Sequence, residues 1–358
     1  MSMLSTFRQK AYSKGNVAPL FLLTLVFFLV SCGATSNTGT PPSTSTTPTE
    51  VKVVLDYLPN ANDTGIFVAQ SKGWYKQQGI NLTILPYSNN VFPDQLVSSG
   101  KADFGVSFAE SLAQDRALGQ PLISVAAIFQ HDTTGVVTLK SSGLDSIAKL
   151  AGKTYAGNGT AYEPGLISQI LSCRGATNGK FQNITTRTDP VSALQSKKFD
   201  FAIMEQGFGV IQAKFRGIEL NIFPFIDYCV PDVYEEIIIS NEPFLKAHPD
   251  VAHRFMAATA QSYTYAAQHA QEAANILFAA APQGFFTSQQ EAQASQAFQS
   301  AQYINDGKCW GQQTLQRATD YPRFMFTHQG IVDANHEPIT KEPDYAASFT
   351  NDFLPSCT

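Results

Sequence analysis

Four short segments of the sequence concentrate carboxylate, amide, hydroxyl and aromatic side chains that suit the binding of a polar small molecule. They are residues 56–62, 107–110, 157–163 and 205–208. Basic residues are scarce in them, which argues against an anionic ligand, because an anion needs Arg or several N–H donors. A buried carboxylate is costly unless it is paired, so the segments favour a neutral or cationic ligand with hydrogen-bond donors.

Catalytic motifs are absent from the sequence. It has no GxSxG, no HExxH and no GxxxxGK[ST] phosphate loop, and its six His residues are scattered. No CxxC pair or His/Cys cluster has the spacing of metal ligands. We therefore predict a protein that is not an enzyme and that has no metal site and no cofactor. The tripeptide Gly157-Asn158-Gly159 either cradles an anion or carboxylate at a helix N-terminus or forms a tight turn, and the sequence leaves both open.

Alternating strand and helix patterns place the four segments at the ends of predicted strands. The first unit has strands at 51–55, 81–85, 104–106, 122–128 and 135–139, and helices at 64–72, 92–99 and 109–118. A second unit has strands at 154–156, 201–204 and 236–240, after which the chain becomes mostly helical. The alternation predicts an α/β fold with a mainly parallel sheet, two lobes, and a ligand cleft beyond the carboxyl ends of the strands.

The N-terminus has the form of a secretory signal. Arg8, Lys10 and Lys14 precede an apolar run over residues 17–30, which is shorter than the roughly 20 residues of a spanning helix. The run ends in LVSCG, which resembles a bacterial lipobox, and this predicts lipidation of Cys32. The alternatives are an uncleaved anchor, or a plain signal peptide with an incidental Cys.

The segment after Cys32 has no large apolar side chain. Residues 33–50 are dominated by Ser, Thr, Pro and Gly, which predicts a flexible tether. We thus expect a signal peptide with lipobox over 1–32, the tether over 33–50, lobe 1 from 51–140 plus 235–357, and lobe 2 from 141–234.

The charge and composition of the chain further restrict the class of protein and its possible partners. The chain has a formal net charge of −5 at pH 7, and removal of the signal peptide makes it more acidic, which argues against a nucleic-acid partner. An acidic protein is not held at an anionic membrane by its charge, so membrane attachment depends on the lipid. Hydrophobic residues make up 44% of the chain, enough for a sizeable core.

The remaining cysteines are even in number, as in exported proteins with disulfides. By chain position, Cys173 and Cys229 belong to lobe 2 and its return crossing, and Cys309 and Cys357 to the helical return and tail. This predicts the pairs 173–229 and 309–357, with free buried thiols as the alternative.

Long stretches of the chain resemble periplasmic solute-binding proteins for thiamine-pyrimidine precursors. The resemblance begins with LDYLPNANDTGIFVAQSKGWYKQQGI, continues through SSGKADFGVSFAESLAQDRALGQPLISVAAIFQHDTTG, LAGKTYAGNGTAYEPG, FDFAIMEQGFGVI and IISNEPFLKAHPDVAHRFMAAT, and ends with DGKCWGQQTLQRATDYPRFMFTHQGIV. It covers residues 51–332. It implies a type II-like periplasmic-binding-protein fold whose two lobes close by a hinge on a flat heteroaromatic ligand, which an ABC permease then imports.

The resemblance also implies roles for individual side chains. An aromatic sandwich from Tyr57 and Tyr162 is expected, with Trp74, Phe108 and Phe208 as further stacking candidates that equally suit packing. The expected ligand-binding residues are Asp56, Tyr57, Asn60, Asn62, Ser107, Glu110, Tyr162, Glu163 and Glu205. Asn60 and Asn62 also suit a helix cap or turn.

The same superfamily includes the fungal thiamine-pyrimidine synthase, an enzyme. Where that enzyme has its Lys for pyridoxal phosphate and its catalytic His, this chain has Ser107 and Ser111, and its Cys-rich iron motif falls on 230–234, VPDVY, without a Cys. A Schiff base needs an amine, so catalysis is disfavoured. Gly207-Phe208-Gly209 departs from the Trp and acid of the thiamine-type line, which leaves riboflavin- and sulfonate-binding relatives as alternatives.

Overall fold

The computed structural model describes residues 48–87, 92–304, 306 and 309–357. The predicted signal peptide, Cys32 and the tether as far as residue 47 lie outside the described residues. The first strand begins at Thr49, so the last two residues of the predicted tether belong to a sheet. None of the described helices combines the length and apolarity that crossing a membrane requires.

Ten strands and twelve α-helices are formed by the described residues. The strands are β1 (Thr49–Val54), β2 (Ile80–Leu85), β3 (Phe104–Phe108), β4 (Leu122–Ala127), β5 (Thr134–Leu139), β6 (Thr154–Gly157), β7 (Gln182–Thr185), β8 (Ala202–Glu205), β9 (Leu220–Pro224) and β10 (Glu236–Asn241). The helices are α1 (Thr64–Ser71), α2 (Trp74–Gln77), α3 (Pro93–Ser98), α4 (Ala109–Ala117), α5 (Glu163–Ser172), α6 (Pro190–Gln195), α7 (Ile211–Phe215), α8 (Glu242–Ala247), α9 (Pro249–Gln268), α10 (Ala270–Ala280), α11 (Gln289–Gln302) and α12 (Leu315–Thr327). Short 3-10 turns include Ala61–Asp63 and Ile147–Leu150, and Gln206–Val210 is a π-helical turn.

Local sequence explains most element boundaries. Helix α1 ends before Gly73, whose φ of 70° lies in the left-handed region that glycine adopts at little cost. Strand β10 is buried along its whole length, as its Ile237-Ile238-Ile239 run predicts for a central strand. The sequence did not predict β7, α6 or β9. β7 is a short strand whose four residues are all exposed, so it carries no hydrophobic pattern.

The first sheet has the order β2-β1-β3-β10-β4. β1 is parallel to β2 and β3, but β10 runs antiparallel to both β3 and β4. The sheet is therefore mainly parallel, as predicted, with β10 as the one antiparallel strand of its five. We call this sheet and the helices packed on it lobe 1.

The second sheet repeats that order. β5 is antiparallel to both β8 and β9, and β6 is parallel to β7. A parallel bridge between Tyr155 and Phe201 places β6 beside β8, so the full order is β7-β6-β8-β5-β9. We call this sheet and its helices lobe 2. In each lobe, one strand runs antiparallel to its two neighbours: β10 in the first sheet and β5 in the second. Each of these strands follows a segment that crosses from the other lobe.

Two crossing segments lead into the exchanged strands, residues 128–133 before β5 and residues 225–235 before β10. The chain thus leaves lobe 1 before Thr134, whereas the sequence placed the change at residue 140. Helix α12, which was expected in lobe 1, contacts both lobes: Tyr321 belongs to a buried cluster with Ile167 of lobe 2, and its hydroxyl donates to Glu110 of α4 at 2.8 Å.

An ion-pair network ties the two crossings to α12. In the first crossing, His131 Nδ1 lies 2.6 Å from Asp232 Oδ2 of the second crossing, and His131 Nε2 lies 2.7 Å from Asp306 Oδ1. Arg317 of α12 lies 3.2 Å from the same Asp232 oxygen and donates to the backbone carbonyl of Gln130. One cation therefore contacts both crossings.

Stacked aromatic rings fix the helical return to lobe 1. The Tyr263 ring of α9 stacks on Trp310 with 4.4 Å between centroids, and Phe255 stacks on Phe104 of β3 at 4.0 Å. Such buried rings contribute large apolar area to a core. Disulfides join Cys173 to Cys229 and Cys309 to Cys357, which confirms the predicted pairing. The first links lobe 2 to the second crossing.

Candidate functional site

A cavity of about 340 Å³ lies between the two lobes. Lobe 1 contributes the end of β1, the start of α3 and the turn from β3 into α4, while lobe 2 contributes β8 and the segment before α5. These are the strand ends that the sequence singled out. Of the predicted binding residues, those that line the cavity are Asp56, Ser107, Glu110, Tyr162 and Glu205.

The lining is strongly acidic. Six carboxyl side chains face it, and no Lys, Arg or His is among the described residues that line it. The carboxyl residues are Asp56, Asp94, Glu110, Asp132, Glu205 and Glu235. No grouping of three or more His, Cys, Asp or Glu in the described part of the chain is arranged to hold a metal ion. The site thus presents acceptors to a ligand that brings its own donors or positive charge.

Crowding of these carboxyl groups changes their protonation. Burial, helped by the neighbouring Glu205 carboxylate, raises the pKa of Asp56 to about 7. Burial also raises the pKa of Asp132 to about 7, although the Thr134 backbone N–H and hydroxyl act in the opposite direction. The pKa of Glu235 is well above its usual range, again chiefly because of burial. Near neutral pH these carboxyl groups are therefore partly protonated, and a cationic or donor-rich ligand would displace the protons.

The Glu205 carboxylate is held in place by a hydrogen bond from the Asn62 side chain. The Asn62 amide donates to Glu205 Oε2 at 2.9 Å and also to Glu236 Oε1, while its own carbonyl oxygen accepts from Gln299 Nε2 at 2.7 Å. Burial raises the pKa of Glu205, and the Asn62 donor lowers it. Asn62 does not line the cavity, so it acts on Glu205 rather than on the cavity itself.

Asn60 builds the turn before α1. Its side-chain oxygen accepts the Asn62 backbone N–H at 2.8 Å, and its own N–H is 3.3 Å from Asp63 Oδ2, so the two residues form a reciprocal cap. Asn60 is buried outside the cavity lining. These contacts are those of a helix cap, which was the alternative role that the sequence left open for Asn60.

Glu163 folds its own loop. Its carboxylate accepts from the backbone N–H and the side-chain amide of Asn158, both at 2.8 Å, and from the Gly159 N–H at 3.2 Å. The glycine-rich tripeptide therefore does cradle a carboxylate, but the carboxylate is that of Glu163. Asn158, Thr160 and Tyr162 are thereby presented to the cavity.

The aromatic candidates separate into two groups. Tyr162 and Phe108 line the cavity. Tyr57 is 39% exposed and packs against other rings instead, with centroids 5.0 Å from Tyr87 and 6.3 Å from Phe208. The structure therefore does not bring Tyr57 and Tyr162 together across the cavity. Among the remaining candidates, Trp74 packs edge-on against Tyr265, and Phe208 stacks on Phe285.

The positions that differ from the synthase lie at the cavity. Ser107 is buried and its hydroxyl donates to Asp94 Oδ1 at 2.7 Å. Ser111 also lines the cavity. In segment 230–234, Val233 lines the cavity and Asp232 belongs to the ion-pair network. This corner of the site offers a hydroxyl and a carboxylate where a Schiff base needs an amine.

Sequence reasoning missed Asp94, Asp132 and Glu235. Glu235 accepts from the Thr133 N–H at 2.8 Å and from the Thr133 hydroxyl at 2.7 Å, which joins the two crossings. It directly precedes β10, and because β10 runs antiparallel to β3 and β4, it begins at the edge of the sheet where those two strands end. A search restricted to the carboxyl ends of strands passes over such a residue.

Two lobes that exchange a strand around a central cavity form the periplasmic-binding-protein fold. The periplasmic aliphatic sulphonate binding protein of Escherichia coli has the same fold, with a TM-score of 0.60 and 11% identity, covering 87% of this chain and 93% of that one. Residues 60–273, more than half of the chain, match the NMT1/THI5-like family, and the protein belongs to this family.

Two proteins with similar sequences have names that state different activities. The formylaminopyrimidine-binding protein of Halalkalibacterium halodurans is 26% identical over 259 residues, which cover 72% of this chain and 76% of the relative. The 4-amino-5-hydroxymethyl-2-methylpyrimidine phosphate synthase THI11 of Saccharomyces cerevisiae is 24% identical over 321 residues, 85% and 88% of the two chains. Both names refer to an aminopyrimidine compound.

Proposed function

We propose that this protein is the extracytoplasmic substrate-binding lipoprotein of an ABC importer, and that it binds a heteroaromatic vitamin precursor of the thiamine-pyrimidine type. The observation that carries the proposal is the cavity between the lobes, lined by six carboxyl groups without a described cationic side chain. An aminopyrimidine fits this lining because its amino group donates to carboxylates and its ring nitrogen accepts a proton from them. The formylaminopyrimidine-binding relative supports the same ligand class.

Both lobes supply ligand contacts in this proposal. Asp56 and Glu110 of lobe 1 and Glu205 of lobe 2 pair with the donors of the ligand, and Tyr162 stacks on its ring. The second face of the ring is covered by the lining aromatic Phe108 rather than by Tyr57. A ligand that touches both lobes stabilises their closed arrangement, which is the state that a permease recognises.

Competing ligands and an enzymatic role are disfavoured by the same lining. A sulfonate would face carboxylates without a compensating cation among the described lining residues. Riboflavin has no amino group to pair with a carboxylate. A synthase-like reaction needs an amine where Ser107 donates to Asp94, so we propose a binding protein and not an enzyme.

Calorimetry on ligand-stripped protein tests the proposal. The titrants are 4-amino-5-hydroxymethyl-2-methylpyrimidine, formylaminopyrimidine, riboflavin and taurine. We expect saturable 1:1 binding of an aminopyrimidine, weaker or no binding of riboflavin, and no heat from taurine. Tight binding of taurine together with no response to either heteroaromatic class would overturn the ligand assignment and leave only the fold.

A further inference from the structure

We infer that Gln299 of α11 is a positioning residue for ligand recognition, which sets the orientation of the Asn62 amide and through it the place of Glu205. The inference rests on the proposed function, in which Glu205 contacts the ligand. It concerns a residue that does not line the cavity and lies more than 90 positions along the chain from Glu205.

Both N–H groups and the carbonyl oxygen of the Asn62 side-chain amide are hydrogen-bonded. Its two N–H donors go to Glu205 Oε2 and Glu236 Oε1, and its carbonyl oxygen accepts from Gln299 Nε2 at 2.7 Å. If the amide turned over, its oxygen would face two carboxylates and its N–H groups would face the donor of Gln299. Gln299 and the two carboxylates therefore hold the amide in the same orientation, the one in which Asn62 donates to Glu205.

Burial enforces this orientation. Asn62 is 1% exposed and Gln299 is fully buried, so water does not replace either partner freely. Gln299 Oε1 has no hydrogen-bond partner among the described residues. An unpaired buried acceptor is unfavourable, and the hydrogen bond from Nε2 of the same side chain to Asn62 offsets this cost.

Gly207 leaves the space that Gln299 occupies. A Cβ atom at Gly207 would lie 2.3 Å from Gln299 Cδ, and the Gly207 carbonyl is fixed by the hydroxyl of Ser295 from the same helix. A methyl group at position 207 would therefore displace the Gln299 amide from its place beside Asn62.

The test replaces Gln299 by Leu, which keeps the bulk and removes the donor. We expect the affinity for 4-amino-5-hydroxymethyl-2-methylpyrimidine to fall about tenfold, which corresponds to the free energy of roughly one hydrogen bond. Thermal stability should change little, because the variant removes one unpaired buried acceptor, Gln299 Oε1, and leaves another, Asn62 Oδ1, without its donor. A change in affinity without a loss of stability is what a merely structural residue would not produce.

Gln313→Leu is the matched control. Gln313 is also a buried glutamine with one unpaired amide atom, and it bonds Ser124 at 2.7 Å outside the cavity lining. This variant should leave the affinity unchanged. Gly207→Ala should weaken binding by displacing Gln299, and the double variant with Gln299→Leu should be no weaker than the single variants, since both act on one contact.

A second measurement does not need the ligand. Carboxyl carbon NMR titration of Glu205 should show a higher pKa in Gln299→Leu than in the wild type, because the Asn62 donor lowers the pKa of Glu205. If the wild type binds no aminopyrimidine but this pKa rises, the proposed function fails and the positioning role stands. An unchanged Glu205 pKa, or a Gln299→Leu variant that binds as the wild type does, would overturn the inference.

Discussion

At the scale of single residues, Glu205 carries the most weight in the proposed ligand contact. It lies at the end of β8, lines the cavity, and accepts a hydrogen bond from a side-chain amide of the other lobe, that of Asn62. A fixed acceptor loses little conformational freedom when a ligand binds, which favours affinity. Asp56 lies near enough for its pKa to respond to the Glu205 charge.

Glu205→Gln is expected to weaken aminopyrimidine binding about ten- to a hundredfold. The substitution removes the charge from one acceptor, and a hydrogen bond to a charged group is worth roughly 1.5–3 kcal/mol. Riboflavin binding, if present, should respond less. Calorimetry of both proteins with both ligands measures the difference, with a circular dichroism spectrum as the control for folding. Equal aminopyrimidine affinities would show that Glu205 does not contact the ligand.

The raised pKa of the cavity carboxyls predicts that the ligand-free protein loses stability as the pH rises. In the folded state Asp56 and Asp132 titrate at about 7, above the 3.8 of an unperturbed Asp. Between these values the folded protein binds more protons than the unfolded chain, so the free energy of unfolding falls as the pH rises from about 4 to 7. The total decrease should be on the order of a few kcal/mol.

Urea denaturation of ligand-free protein at pH 5 and pH 8 measures this slope. Asp56→Asn should flatten it, because one of the groups with a raised pKa no longer titrates. A stability that increases from pH 5 to pH 8 would contradict the protonation of the cavity carboxyls.

At the scale of elements, the crossings decide how the lobes meet. His131 and Asp232 belong to different crossings, and Arg317 of α12 contacts both. Ion pairs that are partly buried are screened less than those on the surface. The network should therefore stiffen the crossings, which form the hinge of a periplasmic-binding-protein fold.

Arg317→Gln is expected to loosen the crossings without unfolding either lobe. Backbone amides in 128–133 and 225–235 should exchange their hydrogens several-fold faster, while those of β3 keep their rates, because local opening depends on local contacts. Hydrogen-exchange mass spectrometry measures this. Arg323→Gln is the matched control, since Arg323 lies on the same helix and pairs with Glu342 away from the crossings. Equal exchange in the two variants would rule out a hinge role for Arg317.

Much of the site could be predicted from the sequence, because strand ends are readable from hydrophobic runs. Asp56, Glu110 and Glu205 were found in this way, and they line the cavity. Glu235 was not found, because nothing in a hydrophobic run tells whether a strand is parallel or antiparallel. Asn60, for which a cap was the open alternative, and Glu163 both hydrogen-bond within local turns. Polar residues in a turn have local backbone donors available, and sequence spacing does not show which partner they take.

At the scale of the whole molecule, attachment to the membrane remains a prediction from the N-terminal sequence. Cys32→Ala should release the protein from the membrane fraction or leave the precursor unprocessed, since the acidic chain has no electrostatic hold on anionic lipids. Fractionation and immunoblotting of cells that express each form check this. Membrane retention of a normally trimmed Cys32→Ala product would refute the lipid anchor.

The exchange of β5 and β10 between the lobes also has a consequence for biosynthesis. β10 lies between β3 and β4, so β4 has no strand partner in its sheet until residues 236–241 have been made. Lobe 1 therefore cannot close its sheet while the N-terminal third of the chain emerges alone. The contacts that complete it join segments about 130 positions apart, and contacts of such long range form late and slowly. The topology thus keeps the nascent chain incompletely folded until most of it has been synthesised, which is the state in which a polypeptide is threaded across a membrane.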